Sequence, residues 1–196
     1  MPAAKTQATE PNFSREIVAA GTIFTVGHST RDIESFISLL RVYSVEQLVD
    51  IRTIPRSRHN PQFNADVLGR TLKGSGIAYV SCTALGGLRH LQKDSPNAGW
   101  RNRSFQGYAD YMQTAAFRDA LNSLIELSRA ISTAIMCAEA VPWRCHRSLV
   151  ADALLVHGIP VVDILSESSF RPHELTPFAQ VQGTDITFPG EQGKLL

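Results

Sequence analysis

Short apolar segments alternate with longer helical segments along most of the chain, and this alternation is the feature that most restricts its fold. Five segments are typical of buried strands because they are apolar and partly β-branched; they lie within 22–26, 45–52, 77–80, 133–136 and 160–164. Strands separated by helices form βαβ units, in which the strands are parallel and the crossovers right-handed. The sequence therefore predicts an α/β fold, a single domain with a mostly parallel sheet of about five strands flanked by helices.

The first helical segment has the residue spacing of an amphipathic helix. Its apolar residues fall at positions i, i+3, i+4 and i+7, the spacing of one buried helix face: Ile33, Phe36, Ile37 and Leu40. Ser29, followed three residues later by Asp32, matches a capping box. The sequence therefore predicts that this helix starts near Ser29.

The length of 196 residues suits one domain with a substantial core. The polar segment 1–20 is predicted to be a flexible N-terminal tail, and 21–165 the α/β domain. The segment 166–196 contains three prolines and three glycines. It is predicted to be a C-terminal extension packed on the domain surface.

Composition narrows the classes of function. A net charge of +1 argues against a dominating basic field, so any nucleic-acid surface must be local. The three cysteines, at positions 82, 137 and 145, are an odd number and do not suggest a disulfide framework, which predicts a reducing, cytoplasmic compartment. No apolar run approaches the roughly 20 residues that span a bilayer, so no membrane partner is predicted.

Polar residues follow four of the predicted strands at their carboxyl ends. Ligands of parallel sheets bind beyond this edge, so groups at the ends of neighbouring strands should converge on one site. The groups are His28, Asp50 with Arg52, the Gly86–Gly87 pair, and the segment from Glu139 to Arg147.

The residue types in this set predict acid–base chemistry beside an anion site. Glu139 and His146 are the leading acid–base candidates, because a carboxylate and an imidazole both exchange protons near neutral pH when suitably placed. The other catalytic candidates are His28, Asp50 and Cys145. Guanidinium groups and a helix N-terminus favour phosphate, and the ligand-binding candidates are therefore Arg52, Arg56, Ser57, Gly86, Gly87 and Arg147. The alternative is that the arginines pair with Asp50 and Glu139 and only hold the loops.

The same residues offer two further kinds of site, a cysteine nucleophile and a metal centre. Cys145, next to a helix N-terminus and flanked by Arg144 and Arg147, would have a lowered thiol pKa if it were a nucleophile. The alternative is a small buried structural cysteine. His28, Asp50, Glu139 and His146 carry ligand atoms for a metal, but no paired-ligand spacing is present and nearby arginines would repel a cation. No metal and no cofactor is predicted.

Several short motifs occur in order along the chain, at 26–29, 49–52, 55–57, 85–87, 105–112, 137–139 and 145–147. In this combination the chain resembles a known family, the bacterial domain of unknown function numbered 488. The resemblance runs from about residue 22 to about residue 189. It implies a single compact α/β domain, and it assigns no biochemical activity.

The leading hypothesis is a polar strand-end pocket for a phosphate-bearing ligand, in an enzyme that acts on nucleotides or nucleic acid. The alternative is a noncatalytic nucleotide or nucleic-acid binding module that uses the same arginines. A third hypothesis is an interaction protein in which the polar cluster is structural. The predicted partner is a phosphate-bearing small molecule or nucleic acid, and the sequence leaves the oligomeric state open.

Overall fold

A six-stranded sheet forms the centre of the protein, which the computed structural model describes at residue 19 and at residues 21–190. Its strands in chain order are β1 (Ile23–Gly27), β2 (Gln47–Asp50), β3 (Ala78–Ser81), β4 (Thr133–Cys137), β5 (Val161–Ser166) and β6 (Ser169–Pro172). Their order in space is β3-β2-β4-β1-β5-β6. All neighbours pair in parallel except β5 and β6, which are antiparallel. The predicted α/β class, with one domain and a mostly parallel sheet, is confirmed.

Helices cover both faces of the sheet. They are α1 (Ile33–Val42), α2 (Ala65–Gly74), α3 (Arg103–Met112), α4 (Ala115–Ser128) and α5 (Arg147–Val156). Helices α1 and α2 contribute to one apolar cluster, and α3, α4 and α5 contribute to the other. Successive strand residues point to opposite faces. Ile23 therefore packs in the cluster with α3, α4 and α5, and Phe24 packs in the cluster with α1 and α2. In the described part of the chain, no helix combines the length and the apolar character needed to cross a membrane.

Helix α1 begins later than its predicted capping box. Asp32 is the N-cap, and its carboxylate accepts a hydrogen bond from the Ser35 N–H at 2.7 Å. Ser29 lies in the turn after β1 with a φ of 51°, in the left-handed region. The capping box starting at Ser29 was therefore wrong, because the turn uses Ser29 before the helix begins.

The chain after β5 takes part in the sheet and in the core. Strand β6 adds an edge that the sequence did not predict, since 169–172 is short and contains an arginine and a proline. A hairpin follows, formed by β7 (Gln180–Gln182) and β8 (Asp185–Thr187). Ile186 and Phe188 are buried against the cluster that contains α5. Residues 166–190 thus supply an edge strand and core side chains, while the predicted tail 1–20, apart from residue 19, and residues 191–196 lie outside the described part.

A buried histidine ties this C-terminal segment to the domain. The two ring nitrogens of His173 lie 3.0 Å from Asp152 Oδ1 and 3.1 Å from Asp163 Oδ2. Thr176 donates from its N–H and its hydroxyl to Asp152, and Thr25 donates its hydroxyl to Asp163. We call these residues the His173 clamp. Because both carboxylates are fully buried, the clamp supplies the partners that buried charges require.

Candidate functional site

The ends of β1, β2 and β4 lie side by side at the carboxyl edge of the sheet. Gly27 at the end of β1 is in register with Cys137 at the end of β4, and Asp50 is in register with Met136. His28 continues from β1, and its N–H donates to the Cys137 carbonyl. The topology therefore brings the polar groups that follow these three strands to one place.

Two adjoining cavities open at this edge. The thiol pocket has a volume of about 470 Å³ and is lined by groups that include Cys137, Cys145 and His146. The histidine pocket has a volume of about 490 Å³ and is lined by groups that include His28 and Arg56. The two share Arg52, Ile54, Ala138 and Glu139. We call the pair of pockets the cleft. A cavity of about 320 Å³ at the opposite edge of the sheet contains none of the predicted site residues.

The Arg52 guanidinium is held rigidly between β2 and the loop after it. Asp50 is fully buried and binds it bidentately, with Nε–Oδ1 and Nη2–Oδ2 distances of 2.8 and 2.5 Å. Nη2 also donates to the Phe63 carbonyl, and the Tyr79 hydroxyl donates to Asp50 Oδ2. Asp50 therefore acts behind the cleft wall and orients the arginine.

His28 is a neutral ring with both nitrogens in use. Nδ1 lies 2.8 Å from the Ser29 carbonyl, which can only accept, so the proton is on Nδ1. Nε2 then accepts from Arg52 Nη1 at 3.2 Å, and the ring stacks on Phe63 with centroids 4.2 Å apart. Burial lowers the pKa of His28 to about 4, and the charge of Arg52 acts in the same direction. Its role in this structure is to shape the wall of the histidine pocket.

Two cysteines face each other in the thiol pocket. The Sγ atoms of Cys137 and Cys145 lie 2.6 Å apart, and both cysteines are free thiols. Burial alone would raise the pKa of Cys137, but the hydrogen bond from Cys145 and the charge of Arg147 lower it to about 7. The same hydrogen bond, together with burial, raises the pKa of Cys145. The proton of the pair is therefore held by Cys145, and the negative charge belongs to Cys137.

His146 borders both the thiols and the backbone of the neighbouring loop. Nε2 lies 3.1 Å from the Ile51 carbonyl, so Nε2 carries the proton and Nδ1 is free to accept. Nδ1 is 3.6 Å from the sulfur of Cys145. Burial lowers the pKa of His146 to about 4, and the charges of Arg147 and Arg89 add to this effect. The acid–base capacity that the sequence assigned to this ring is therefore directed at a thiol.

The structure places Arg147 beneath the cleft and not in its lining. Its side chain is fully buried at the start of α5. Nη1 donates to the sulfur of Cys137 at 2.7 Å and to the carbonyl of Glu139, and Nη2 donates to the carbonyl of Ala140 at 2.8 Å. A side chain enclosed in this way stabilises the loop after β4 and the charge on Cys137, and it does not reach a ligand in the cleft.

Glu139, Arg56 and Ser57 do reach the cleft. Glu139 is exposed and lines both pockets, and within the described residues its carboxylate has no hydrogen-bond partner. Arg56 is exposed and Ser57 partly so, and both line the histidine pocket. The hydroxyl of Ser57 also accepts from the Asn60 N–H at 3.1 Å, which holds the loop after β2 in place.

The predicted glycines allow close packing of the walls. A Cβ atom at Gly86 would lie 2.3 Å from the Thr53 hydroxyl oxygen, and one at Gly87 would lie 2.5 Å from His146 Nδ1. Gly87 lines the thiol pocket, whereas Gly86 does not. Their common role is to let the loop after β3 approach the loops after β2 and β4, because any side chain would collide there.

The same geometry bears on metal binding. Across residues 19 and 21–190, no group of three or more His, Cys, Asp or Glu side chains is arranged to hold a metal ion. The Asp50 carboxylate, one of the four candidate ligands, is instead saturated by Arg52 and Tyr79.

The model of one protein family, described as Domain of unknown function DUF488, matches residues 32–154, which is more than half of the chain. The chain belongs to this family. No curated protein and no solved structure matches it. The DUF488 match includes the ends of β2 and β4 and both cysteines of the thiol pocket. His28 and the His173 clamp lie partly or wholly outside the matched range.

The DUF488 domain also uses residues that sequence reasoning did not select. Cys137 and Cys145 are not spaced as a CxxC motif, yet the short 3-10 turn of Pro142–Arg144 returns the chain so that their sulfurs meet. Asp110 is buried and accepts from the Gln92 N–H, the Ser95 hydroxyl and the Asn97 amide. It thereby fixes the long loop that lies between β3 and α3. Its position in the 105–112 motif was the only available signal.

Proposed function

We propose that this protein is an enzyme that binds a phosphate-bearing small molecule of the nucleotide class in the cleft. The observation that carries the proposal is a pair of exposed arginines, Arg56 on the histidine pocket and Arg144 on the thiol pocket. Within the described residues neither forms an ion pair with a carboxylate. Two unpaired guanidiniums on adjoining pockets suit an anion with several oxygens.

Further groups favour phosphate at the same place. Four of the five N–H groups of Arg52 are used by Asp50, His28 and Phe63, which leaves one for a ligand. Ser104 and Phe105, in the first turn of α3, line the thiol pocket. The first N–H groups of a helix lack intrahelical partners and favour an anion. The Ser104 N–H donates to the side chain of the N-cap Asn102, so the Phe105 N–H, which has no partner within the described residues, is the group that remains for a ligand.

The size and the remaining lining favour a nucleotide over a long nucleic acid. Pockets of about 470 and 490 Å³ fall in the range of small-molecule sites. Phe105, Ile54 and Leu88 give the thiol pocket an apolar wall that suits the face of a base. A net charge of +1 provides no extended basic surface for a polymer.

The proposed acid–base group is Glu139, because its carboxylate is exposed to both pockets while His146 is engaged with Cys145. We also propose a cytoplasmic location. All three cysteines of the chain are free thiols, which fits a reducing compartment.

Calorimetric titration with inorganic phosphate and with a nucleoside monophosphate tests the binding. Arg56→Ala and Arg144→Ala should each weaken binding about five- to tenfold, as expected for a charge-assisted hydrogen bond at a partly exposed site. Sodium chloride should weaken it further by screening. Arg129→Ala is the matched control, since Arg129 is an exposed arginine on α4 that pairs with Glu126. Equal losses in all three variants, or no binding at all, would contradict the proposal.

Catalysis needs a separate measurement. Glu139→Gln removes the proton-transfer group and keeps nearly the same shape, so it should retain the nucleotide affinity and lose turnover on a panel of phosphate-bearing compounds. Wild-type protein that binds these compounds and converts none of them would be a binding module, and the enzyme assignment would then fail.

A further inference from the structure

We propose that Cys137 and Cys145 form a redox-active dithiol that reduces small hydroperoxides, with Cys137 as the attacking thiolate and Cys145 as the resolving thiol. The inference concerns a different chemistry from phosphate binding and does not depend on it. It rests on four features of the thiol pocket: the spacing of the sulfurs, their access, a buried guanidinium and an oriented imidazole.

The spacing is the first feature. The sulfurs lie 2.6 Å apart, and a disulfide bond needs about 2 Å. The two cysteines lie on opposite sides of a single turn, Pro142–Arg144, so a small adjustment of that turn joins them.

Access separates this pair from a cysteine pair sealed in the core. Both cysteines line a pocket of about 470 Å³, although only 2% of Cys137 and 7% of Cys145 is exposed. An oxidant close to the size of water reaches sulfurs at the bottom of such a pocket, whereas a bulky disulfide is hindered. The exposure therefore favours a hydroperoxide over a larger sulfur electrophile.

The positions of Arg147 and His146 indicate which cysteine attacks and which one resolves. Arg147 donates to the sulfur of Cys137 from a fully buried position, which stabilises a thiolate there. The pKa of Cys137, lowered to about 7, agrees with this geometry. Within the described residues no arginine side chain donates to Cys145, which instead faces His146 Nδ1, a nitrogen that is free to accept a proton. Arg147 thus prepares the nucleophile, and His146 serves the second thiol.

The reaction balances in two steps. The thiolate of Cys137 attacks the terminal oxygen of the hydroperoxide; an S–O bond forms, the O–O bond breaks, and the leaving alkoxide takes a proton from solvent to give an alcohol. Cys137 is then a sulfenic acid and no longer a charged neighbour that raises the pKa of Cys145. Cys145 attacks the sulfenic sulfur while its proton moves through His146 Nδ1 to the departing oxygen in the same step, because a ring with a pKa of about 4 does not hold the proton; the S–S bond forms and the oxygen leaves as water. Two external thiols, oxidised to their disulfide, restore the dithiol.

The experiment uses the full-length, prereduced protein and hydrogen peroxide, without phosphate or nucleotide, so that its result is independent of the binding test. Peptide mapping under nonreducing conditions should show a Cys137–Cys145 disulfide, with the mass reduced by two hydrogen atoms. Cys82, half-buried and outside the thiol pocket, is the matched control. Cys82→Ser should leave the rate of disulfide formation unchanged within about twofold.

Single variants separate the two roles. Cys145→Ser should accumulate a sulfenic acid at Cys137 that dimedone traps, whereas Cys137→Ser and Cys137→Ala should give neither an adduct nor a disulfide. Circular dichroism establishes that these variants fold. If the folded Cys137 variants still form a sulfenic acid at Cys145, the assignment of roles is overturned.

The rate and its pH dependence complete the test. With its pKa lowered to about 7, Cys137 has a much larger thiolate fraction at pH 7 than a thiol of ordinary pKa 9. A lower pKa also reduces nucleophilicity, so the net advantage over Cys82 should be about fivefold or more, with a midpoint near pH 7. Oxidation of Cys82 as fast as Cys137 would overturn the proposal. Faster attack on oxidised glutathione than on peroxide would overturn the choice of hydroperoxide. A disulfide that a small thiol such as dithiothreitol cannot reopen in the folded protein would overturn the catalytic cycle.

Discussion

The His173 clamp makes the free energy of unfolding depend on pH in a definite direction. Burial alone would lower the pKa of His173, but its hydrogen bonds to Asp152 and Asp163 raise it from 6.5 to about 9. The folded protein therefore binds this proton more tightly than the unfolded chain does. The stabilisation is fully present below pH 6.5 and is lost as the pH rises through about 9.

The size of the effect follows from the two pKa values. A change from 6.5 to about 9 corresponds to about 3 kcal/mol of stability. The same interaction also lowers the pKa of Asp163, with further help from Thr25, so the two shifts describe one contribution and are not added. Arg171, 3.4 Å from Asp163, adds to the lowering of the pKa of Asp163.

Urea unfolding of the wild type and of His173→Gln, at about pH 6 and about pH 10, measures this contribution. The free energy of unfolding of the wild type minus that of the variant should be about 3 kcal/mol larger at the lower pH than at the higher pH. The contributions of other titrating groups, including Cys137, cancel in the difference between the two proteins. His59→Gln, which changes an exposed histidine, should follow the wild type at both pH values.

An equal difference between wild type and His173→Gln at both pH values would refute the argument. If the variant does not fold, the ring of His173 can be titrated by NMR in the wild type. A ring that loses its proton below pH 6.5 would show that the two aspartates do not hold an imidazolium.

Two substitutions and one control test the loops around the cleft. Gly87→Ala should destabilise the protein by about 1–3 kcal/mol in thermal unfolding, because the new Cβ would lie 2.5 Å from His146 Nδ1. Gly74→Ala, where a Cβ meets nothing within 4 Å, should instead be neutral or stabilising by up to about 1 kcal/mol. Asp110→Ala leaves three donors without their acceptor and should cost about 3 kcal/mol, with faster proteolysis of the 85–103 loop; an unchanged cleavage rate would contradict this role.

Residue patterns predicted the layer architecture because they report which face of an element is buried. The alternation of apolar strands and amphipathic helices was sufficient for the α/β class. It was also sufficient for the placement of Asp50 and Glu139 at one edge of the sheet. The sequence pattern did not predict strand β6, because an edge strand needs no apolar pattern and residues 169–172 are mostly exposed.

Residue patterns do not predict the direction in which a side chain points. The sequence placed Arg147 at the start of a helix, which suggested that it faces a ligand. The structure folds its side chain back so that it donates to the carbonyls of Glu139 and Ala140 and to the sulfur of Cys137 at the end of β4. The contact between Cys137 and Cys145 depends on the exact path of one short turn. Neither outcome follows from periodicity or charge.

Strand β4 lies between β1 and β2 in the sheet, although it is the last of the three to be synthesised. Among the described residues β1 pairs only with β4 and β5, so none of these partners is available until the chain has grown past residue 137. A nascent chain that stops short of this point can form the β2–β3 pair and leaves the edges of β1 and β2 open. The walls of the cleft therefore close late in synthesis, and ribosome-bound chains of this intermediate length are the forms most prone to pair with one another.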